Sequence, residues 1–483
     1  MSSASSEYVQ KITKRSEDFA AWYNDVVLGA QLADYSPVRG MMVYRPYGYA
    51  IWENIQKLLD ARFKATGVVN AYFPLLIPES LLKKEAEHVE GFNPQVAWVT
   101  HGGNEELEER LAVRPTSEAI IMQMYSKWVQ SYRDLPILIN QWNSVVRWEL
   151  HTRLFLRTAE FLWQEGHTLH ASAEEATERT LLMLEVYRSF LEEDLAIPVI
   201  PGRKTPSERF PGAAETYTVE ALMGDGRALQ SATSHDFADH FAKAFDITFL
   251  DKDGERKYGY TTSWGLSTRT IGGIIMVHGD DSGLIIPPKV APIQVVVVPI
   301  WRSEEDKQKV LEHIDRIKEV LGDSFRLYID LSEEKTPGWK FNEWELKGVP
   351  VRLEVGPRDV ANNAVVLVRR DNRDKSQVPL NDLVVKLQQT LADIQQSLFD
   401  RAKQFRDEHT FECESVAQML EVLDNKRGFI YAGWCGSDEC EAAVKEETRA
   451  TIRVVPLAQP EDPGTCIRCG NKAQVKVYFA RAY

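Results

Sequence analysis

The sequence contains few cysteines and no long hydrophobic run, and both absences restrict the class of protein. Five cysteines in 483 residues do not suggest a disulfide framework, so we expect a reducing compartment, the cytoplasm. Crossing a bilayer takes roughly 20 apolar residues, whereas the longest evident apolar run, IQVVVVPI, has the length of one strand. The first residues, MSSASSEYVQK, lack the apolar core of a signal peptide. We therefore predict a cytoplasmic protein with no membrane partner.

The chain also lacks an excess of positive charge, an internal repeat and a low-complexity segment. Its formal net charge of −14 argues against a protein that coats nucleic acid without specificity. A local basic face is compatible with this total, because salt screens distant charges more than near ones. At 483 residues the chain is too long for a single core, and we expect about three domains.

The composition changes at IIPPKVAPIQVVVVPI, residues 285–300. Its prolines predict a stiff connector, and VVVV is typical of a strand buried on both faces. Beyond it strands and helices alternate, which predicts an α/β domain. A charged stretch, DRAKQFRDEH, then leads to a tail that contains the cysteines. We predict an α+β domain at residues 1–288, an α/β domain at 289–402 and a small α+β domain at 403–483.

Several elements of the first domain are readable from local patterns. Apolar residues at helical spacing predict a helix over residues 47–66, which Gly67 ends. Further helices are predicted from Ser117 and from Ser172, where Ser172 and Glu175 form a capping-box pattern. The segment YGYTTSWGLSTRTIGG indicates a strand that runs into a helix.

The tail contains two short cysteine pairs, Cys435 with Cys440 and Cys466 with Cys469. Zinc prefers four such ligands in a tetrahedron, so two pairs in one small region predict a zinc site. No open ligand position for a water is evident, and the predicted role is therefore structural. Four unrelated reduced thiols are the alternative. Cys413 is left over and is expected in the core.

Residues 144–170, SVVRWELHTRLFLRTAEFLWQEGHTLH, predict two antiparallel strands joined by a basic loop. Buried charged residues need partners or a charged ligand. A bent nucleoside triphosphate suits those in this stretch, because Arg147 can clamp a phosphate bidentately. Glu149 can accept from an adenine amino group, and Phe161 can stack on the purine. Surface salt bridges, with Arg157 among them, are the alternative.

Three segments, in the right order, resemble the motifs of class II aminoacyl-tRNA synthetases. GVVNAYFPLL, residues 67–76, resembles motif 1, and RWE…FLRTAEF resembles motif 2. SWGLSTRTIGG resembles motif 3, with Arg269 where a strand becomes a helix. The resemblance implies a mainly antiparallel sheet flanked by helices, in agreement with the strands predicted above. It also implies a homodimer, because motif 1 builds a two-fold interface in this class.

Within that class, LAVRPTSEAII, FLWQEGHTLH, QSATSHDF and SWGLSTR resemble signatures of the prolyl-tRNA synthetases. The matching branch is the archaeal and eukaryotic-like one, which has a C-terminal zinc-containing domain, and the resemblance covers essentially the whole chain. It implies activation of L-proline with ATP and Mg²⁺ and transfer to tRNA(Pro). Residues 289–402 would bind the anticodon, and the final YFARAY would turn back towards the catalytic domain.

The same resemblance implies the residues of the site. The proline pocket or its rim would be lined by Thr116, Glu118, Arg147, Trp163, His167, Thr233 and His235. ATP would be contacted by Arg147, Glu149, Arg157, Thr158, Phe161, Gln230, Thr233, Ser267 and Arg269. Arg147 and Arg269 are the predicted catalytic residues. For single pocket residues core packing is the alternative, and for Glu118 an interaction with a helix dipole.

The chemistry of proline suits these residues. Its secondary ammonium has two donors for Glu118 and Thr116, its carboxylate would lie near Arg147, and its ring needs an apolar wall such as Trp163. The carboxylate would attack the α-phosphorus in line, pyrophosphate would leave, and the terminal tRNA hydroxyl would attack the activated carbonyl. Charge neutralisation by Arg147, Arg269 and Mg²⁺ would supply most of the acceleration.

The strongest group of charged, mostly basic residues in the second domain is Arg352, Glu354, Arg358, Arg369, Arg370, Arg373 and Lys375. Arginine and glutamate side chains can read the edges of unstacked bases. We therefore predict anticodon contacts at Arg352, Glu354 and Arg358, with a solvated charged face as the alternative.

About 100 residues separate the second and third motifs, and predicted helices and strands already occupy them. We predict no editing domain in the chain, although a proline pocket rejects alanine weakly. The competing hypotheses are a threonine, serine or histidine enzyme of the same class, or a silent relative that binds tRNA. A threonyl enzyme holds zinc in its amino-acid site, whereas the cysteines here begin at Cys413. A silent relative has no need of Arg147, Glu149, Phe161 and Arg269 together.

Overall fold

The computed structural model describes residues 12–88, 95–149 and 151–483. Residues 1–11, where the sequence predicts no signal peptide, lie outside the described residues. No helix in the described ranges has both the length and the apolar character needed to span a membrane.

The helices of the described residues follow in chain order. They are α1 (Phe19–Gly29), α2 (Pro46–Ala65), α3 (Glu79–His88), α4 (Glu118–Trp128), α5 (Ala173–Glu193), α6 (His240–Phe245), α7 (Arg269–His278), α8 (Glu304–Leu321), α9 (Pro337–Leu346), α10 (Pro357–Ala361), α11 (Leu383–Glu408), α12 (Val416–Asn425) and α13 (Asp438–Thr448).

The strands are short and belong to a few sheets. They are β1 (Ala33–Tyr35), β2 (Met42–Tyr44), β3 (Val69–Asn70), β4 (Leu76–Pro78), β5 (Trp98–Gly102), β6 (Glu105–Val113), β7 (Ile137–Val146), β8 (Glu160–His170), β9 (Val199–Arg203), β10 (Glu215–Leu222), β11 (Ala228–Asp236), β12 (Thr248–Leu250), β13 (Arg256–Tyr258), β14 (Tyr260–Ser267), β15 (Val295–Pro299), β16 (Leu327–Ile329), β17 (Val351–Val355), β18 (Ala364–Arg369), β19 (Lys375–Pro379), β20 (Thr410–Glu412), β21 (Phe429–Trp434), β22 (Thr451–Pro456) and β23 (Val475–Ala480).

The largest sheet has the order β20-β21-β23-β22-β9-β10-β11-β14-β8-β7-β3. Its inner neighbours are antiparallel, and only the outermost pairs, β20 with β21 and β3 with β7, are parallel. The predicted mainly antiparallel sheet is thereby confirmed. The predicted hairpin is also present, since β7 and β8 pair along their length with Asn143 opposite Trp163.

The helices on this sheet form where local patterns predict them. In α2 the residues Ile51, Ile55, Leu59 and Phe63 recur every four positions and are all fully buried, which places one stripe of the helix in the core. The predicted helix start at Ser172 is also correct, because its hydroxyl caps α5. The pattern in SWGLSTRTIGG is confirmed as β14 followed by α7.

The second sheet, β16-β15-β17-β18-β19, is mixed. Its strand β15 contains the run VVVV and is buried throughout, as predicted for a strand covered on both faces. Helix α11 runs through DRAKQFRDEH, which appears in the sequence only as a charged connection. Salt bridges such as Lys403–Asp407, one turn apart, support its exposed end. The predicted domain divisions at 288/289 and 402/403 stay predictions, and α11 continues through the second.

The C-terminal residues extend the main sheet, which sequence patterns did not predict. Strand β22 pairs antiparallel with β9, with Val455 opposite Arg203. Behind this junction, Glu220 of β10 accepts hydrogen bonds from Lys204 at 2.9 Å and from Arg453 of β22 at 3.1 Å. The tail is therefore joined to the first domain by both backbone and buried charge.

Candidate functional site

A cavity of ≈ 300 Å³ lies on one face of the main sheet. Strands β8, β10, β11 and β14 form its floor, and the residues around the start of α4 and the loop at 208–211 close it. The structure brings all the residues predicted for proline to this cavity: Thr116, Glu118, Arg147, Trp163, His167, Thr233 and His235.

Strand β8 supplies three of the lining residues from one face, because side chains at alternate positions of a strand point the same way. These residues are Trp163, Glu165 and His167. Gly166 between them lies opposite Trp264 of β14. A Cβ atom at Gly166 would lie 2.1 Å from the Trp264 ring, so the glycine makes room for that indole, which packs on Phe63 in the core on the other face of the sheet.

Glu118 is the first residue of α4 and is only 3 % exposed. The Thr116 hydroxyl donates to its carboxylate. Within the described residues, no Lys, Arg or His forms an ion pair with Glu118. A buried carboxylate without a cation is costly, so this end of the cavity suits a ligand that carries a positive charge.

Arg147 lies one residue beyond β7, not inside the strand, and its Nε donates to the Pro115 carbonyl at 3.0 Å. Its guanidinium lies 5.4 Å from the ring centre of Phe161 and 5.3 Å from that of Trp163. Burial lowers the pKa of Arg147, and the charge of Glu118 partly opposes that effect. No carboxylate of the described residues is ion-paired with it, so Arg147 is available to an anion.

Arg269 is the first residue of α7, and its Nε donates to the Leu156 carbonyl at 3.0 Å. Burial, together with the charges of Arg147 and Arg157, lowers the pKa of Arg269 to about 10. Guanidinium groups from separate segments therefore lie near one another. Arg157 forms an ion pair with Glu149 at 3.6 Å, whereas Arg269, like Arg147, has none within the described chain. Such a group favours a ligand with several negative charges.

The other residues predicted for ATP divide into two sets. Gln230 and Thr233 line the cavity together with Arg147. Ser267 and Thr158 are not among the lining residues, and their hydroxyl groups are already bonded. The Thr158 hydroxyl donates to the Glu160 carbonyl at 2.6 Å, and the Ser267 hydroxyl accepts from the Arg269 backbone at 3.2 Å.

Sequence reasoning missed several lining residues, namely Glu165, Glu208, Arg209, Phe210, Pro211, Thr216, Ser263, Trp264 and Gly265. Phe210 packs against His235 at 4.7 Å between ring centres, and the Thr216 hydroxyl lies 3.0 Å from His235 Nδ1. Burial, with the charges of His167 and Arg147, lowers the pKa of His235 to about 3. Glu165 could have been predicted, because it alternates with Trp163 and His167 along the strand and so shares their face. No local sequence pattern predicts that the loop at 208–211 closes the cavity.

Some cavity residues have a buried nitrogen without a hydrogen-bond partner among the described residues. They are Trp163 Nε1, His167 Nδ1 and Arg209 Nε. Buried donors are normally satisfied, so these nitrogens indicate that a ligand with acceptor oxygens completes the site.

Glu118, Glu165 and His167 place their ligand atoms within 4.8 Å of one another. The Glu165 carboxylate, however, already accepts from Ser117, Gln141, Asn143 and His167. A carboxylate has about four lone-pair positions, so Glu165 has none left for a metal ion. The unpaired charge at this end belongs to Glu118.

The predicted cysteine cluster is formed. The sulfur atoms of Cys435, Cys440, Cys466 and Cys469 lie within 4.8 Å of one another. Burial raises the pKa of Cys466, but backbone N–H groups, first that of Cys469, lower it to about 7. Four sulfurs, one of them stabilised as a thiolate, fit a zinc ion. Cys413 is buried in the C-terminal core, as predicted.

The structure brings Arg352, Arg369, Arg370, Arg373 and Lys375 of the second domain's charged group to one small cavity, and Arg358 is not among its lining residues. Arg370 is buried and pairs with Asp280 at 2.7 Å, and Arg369 pairs with Asp371 at 2.8 Å. Arg352 is 2.8 Å from Glu354. Arg358 is exposed at the start of α10, without an ion pair among the described residues. Most of the basic charge is thus neutralised within the protein, and Arg358 is the member best placed to meet another molecule.

Three family models match consecutive parts of the chain. The model described as the tRNA synthetase class II core domain (G, H, P, S and T) matches residues 98–278, and the one described as an anticodon binding domain matches 294–390. The model described as the C-terminal part of prolyl-tRNA synthetase matches residues 416–483.

Whole-chain comparisons agree with these models. A proline–tRNA ligase of Natranaerobius thermophilus is 57% identical over 485 residues, covering 100% of both chains. One of Rubrobacter xylanophilus is 58% identical over 478 residues, 99% of this chain and 100% of that relative. The crystal structure of a Cryptosporidium parvum prolyl-tRNA synthetase with halofuginone and AMPPNP superposes with a TM-score of 0.95 at 39% identity, covering 99% and 100% of the two chains.

Proposed function

The chain belongs to the prolyl-tRNA synthetases, and we propose on that premise that the cavity between Glu118 and Arg147 is its proline site. The enzyme activates L-proline with ATP and transfers the prolyl group to the 3′ end of tRNA(Pro), as a ligase with a class II core. The threonine, serine and histidine enzymes and the silent tRNA-binding relative lose their support, because the full-length relatives are proline–tRNA ligases.

The observation that carries the proposed site is a pair of opposite charges in one cavity, the buried Glu118 and the half-buried Arg147, neither of which has an ion pair among the described residues. Proline is a zwitterion, so its ammonium matches Glu118 and Thr116, while its carboxylate matches Arg147. The unpaired nitrogens of Trp163 and His167 offer further donors to that carboxylate. The ring then lies against the indole of Trp163, which lines the cavity.

We place the triphosphate of ATP between Arg147 and Arg269, with Phe161 stacked on the purine and Glu149 as the acceptor for its amino group. Arg157 would exchange its ion pair with Glu149 for phosphate. Enzymes of this class use Mg²⁺ with ATP, and the ion would neutralise phosphate charge that the arginines leave exposed. Arg147 touches both substrates and so brings the carboxylate to the α-phosphorus.

Pyrophosphate exchange tests this assignment. The wild-type protein is assayed for amino-acid-dependent ATP–pyrophosphate exchange with each standard amino acid. We expect a strong signal with proline alone. A strong signal with another amino acid, or none with proline, would contradict the proposed function.

We further propose a homodimer in the cytoplasm. The motif 1 segment around β3 is the edge of the main sheet, and it exposes apolar side chains: Val69 is 60% exposed, Tyr72 70% and Leu75 43%. An unpaired strand with apolar neighbours is a surface that proteins usually cover. The few cysteines, grouped as metal ligands, support a reducing location.

We propose that the chain carries no editing domain. The residues between β8 and β14 form α5, α6 and the strands β9, β10 and β11 of the main sheet, with the β12–β13 hairpin. Of these elements, β10 and β11 contribute lining residues to the proposed proline cavity, as does the loop at 208–211. Purified enzyme incubated with alanyl-tRNA(Pro) should leave it intact, and hydrolysis above the rate without enzyme would contradict this proposal.

A further inference from the structure

Glu165 is a buried carboxylate whose two oxygen atoms both accept several hydrogen bonds from the protein. It lies on β8 between Trp163 and His167 and is 2% exposed. Its Oε1 accepts from Asn143 Nδ2 at 2.7 Å, from Gln141 Nε2 at 3.1 Å and from the Ser117 hydroxyl. Its Oε2 accepts from the Ser117 backbone N–H at 3.1 Å and from His167 Nε2 at 3.0 Å.

Two of these contacts reach residues of the proline site. Ser117 is the residue between Thr116 and Glu118, the two acceptors for the substrate ammonium, and it immediately precedes α4. Holding its N–H and its hydroxyl therefore fixes the position of both neighbours. His167 lines the cavity, and its bond to Glu165 leaves only Nδ1 for the substrate.

The amide that supports Glu165 is itself fixed. The Oε1 atom of Gln141 accepts from the Phe73 backbone N–H, so its Nε2 must point to Glu165 and Ser117. Gln141 lies directly opposite Glu165 on the neighbouring strand β7. A saturated carboxylate inside such a network moves little, because every displacement breaks a charge-assisted bond.

We propose that Glu165 is the positioning residue of the amino-acid site, holding Ser117 and His167 in the arrangement that binds proline without touching the substrate itself. This inference rests on the proposed function. It assigns Glu165 two separate effects: one through Ser117 on the ammonium ligands, and one through His167 on the donor that faces the substrate carboxylate.

The second effect depends on pH. Burial opposes a charge on His167, but its hydrogen bond to the Glu165 carboxylate and the charges of Glu118 and Glu165 together raise its pKa above the ordinary value. Arg147 and His235 line the same cavity. Burial lowers the pKa of His235 to about 3, so His235 is neutral between pH 6 and 9 and Arg147 is the neighbouring cation. Burial raises the pKa of Glu165, but His167 outweighs it and lowers the value to about 2. Protonated His167 donates from both nitrogens, so proline binding should weaken as the pH rises through its raised pKa.

Two variants separate the effects. In Glu165→Gln the Michaelis constant for proline should rise on the order of 10-fold or more, because bonds to a charged group are lost, while that for ATP stays within about twofold. Its rise with pH should also begin at lower pH than in the wild type, since His167 loses the group that keeps it protonated. In Ser117→Ala the constant for proline should rise without any change in that pH profile. Both are measured by pyrophosphate exchange between pH 6 and 9.

Glu441→Gln is the matched control, because it neutralises a buried carboxylate that accepts from Thr205 at 2.7 Å away from the cavity. It should leave both constants unchanged. The proposal would be overturned if Glu165→Gln had the pH profile of the wild type, or if its Michaelis constant for ATP rose as much as that for proline. If Glu165→Gln does not fold, a Ser117→Ala enzyme with an unaltered constant for proline overturns it as well. Failure of the proposed function is distinguishable, because the wild type would then show no proline-dependent exchange.

Discussion

Glu118, which is buried, and Arg147, which is half-buried, are the charged residues hardest to explain without a substrate. Charged side chains are rarely buried unless they are paired, and both lie in the cavity with no ion pair among the described residues. Arg157 and Glu149, in contrast, pair with each other at 3.6 Å near the surface. In the motif 2 segment, Arg157 and Glu149 thus neutralise each other in the free protein, whereas Arg147 has no ion-pair partner among the described residues.

Replacing Arg147 should therefore abolish catalysis and spare the fold. We expect Arg147→Ala to reduce proline-dependent pyrophosphate exchange by on the order of 10²-fold or more, because the contact to the reacting phosphate is lost. The melting temperature should change little, since Arg147 is half-buried and has no ion pair among the described residues to lose. Arg188→Ala, which breaks surface ion pairs to Glu185 and Glu192 on α5, is the control and should behave as wild type. Near-normal exchange in Arg147→Ala would refute its assignment.

Among the elements, the C-terminal segments that carry the four clustered cysteines and the short helix α10 can each be tested separately from the catalytic site. Cys435 lies just before α13, Cys440 lies in its first turn, and Cys466 and Cys469 lie in the loop before β23. The two segments are also hydrogen-bonded here, since the Ile467 N–H donates to the Gly433 carbonyl at 3.0 Å. The four sulfurs therefore add to a contact that the backbone already makes. A metal ion holds such an arrangement where a small core is insufficient.

Cys469→Ser should remove the metal. Its sulfur lies 3.9 Å from that of Cys435, and with three thiolates left we expect zinc, measured by elemental mass spectrometry, to fall from about one ion per chain to well below one. Removal of the metal from the wild type with a chelator should lower the melting temperature of the C-terminal residues. Cys413→Ser, at a buried cysteine outside the cluster, should keep its zinc. A full complement of zinc in Cys469→Ser would argue against the four-cysteine site.

Helix α10 presents Arg358 to solvent, and this residue allows anticodon binding to be tested apart from catalysis. Arg358→Glu should reduce the charging of tRNA(Pro) by about 10-fold, the usual effect of losing one base or phosphate contact, and leave proline activation unchanged. Lys403→Glu, which reverses an exposed charge on α11, should affect neither reaction. Equal losses of charging and activation in Arg358→Glu would count against a role in tRNA binding.

On the scale of the whole molecule, the main sheet runs through two of the predicted domains, and the chain end returns to the catalytic core. The Tyr483 hydroxyl donates to Asp225 at 2.7 Å, and its ring lies 5.5 Å from the guanidinium of Arg153. Arg153 also faces the ring of Tyr23 at 5.5 Å. Since Arg153 and Arg157 are bonded to each other through their backbones, the last residue supports the loop that carries Arg157.

Loss of the terminal ring should therefore loosen that loop. We expect Tyr483→Ala, or a tag added after Tyr483, to lower pyrophosphate exchange on the order of 10-fold, from the combined loss of the cation–π contact and the hydrogen bond to Asp225. Zinc content should stay the same. Tyr431→Ala, which removes a ring stacked on Tyr478 in the same part of the chain, is the control. Wild-type exchange in Tyr483→Ala would show that the loop does not depend on the chain end.

The proposed dimer is tested at its exposed aromatic residue. Tyr72→Glu places a charge on the motif 1 surface and should convert the dimer into a monomer, because burying an unpaired carboxylate costs several kcal/mol. Light scattering after size exclusion gives the mass directly. Tyr328→Glu, at another exposed tyrosine in the second domain, should stay dimeric. A dimer of unchanged affinity in Tyr72→Glu would exclude the motif 1 surface as the interface.

The sequence by itself determined the elements and the kinds of residue in the site. The stripe of α2, the buried run of β15 and the turn from β14 into α7 depend on neighbours within one or two turns of chain, so their patterns are legible without coordinates. The two cysteine pairs can be recognised in the sequence for the same reason, because the members of each pair lie a few residues apart.

Only the tertiary structure decided which charges meet. Glu165 finds donors 22 to 48 positions away, Arg370 is neutralised by Asp280 from 90 positions away, and the tail reaches the cavity's sheet through Arg453 and Glu220. The energy of a buried charge depends on every group within a few ångströms, whatever its distance along the chain. Sequence patterns record spacing along the chain, and they carry no information about that proximity until the strands are ordered in the sheet.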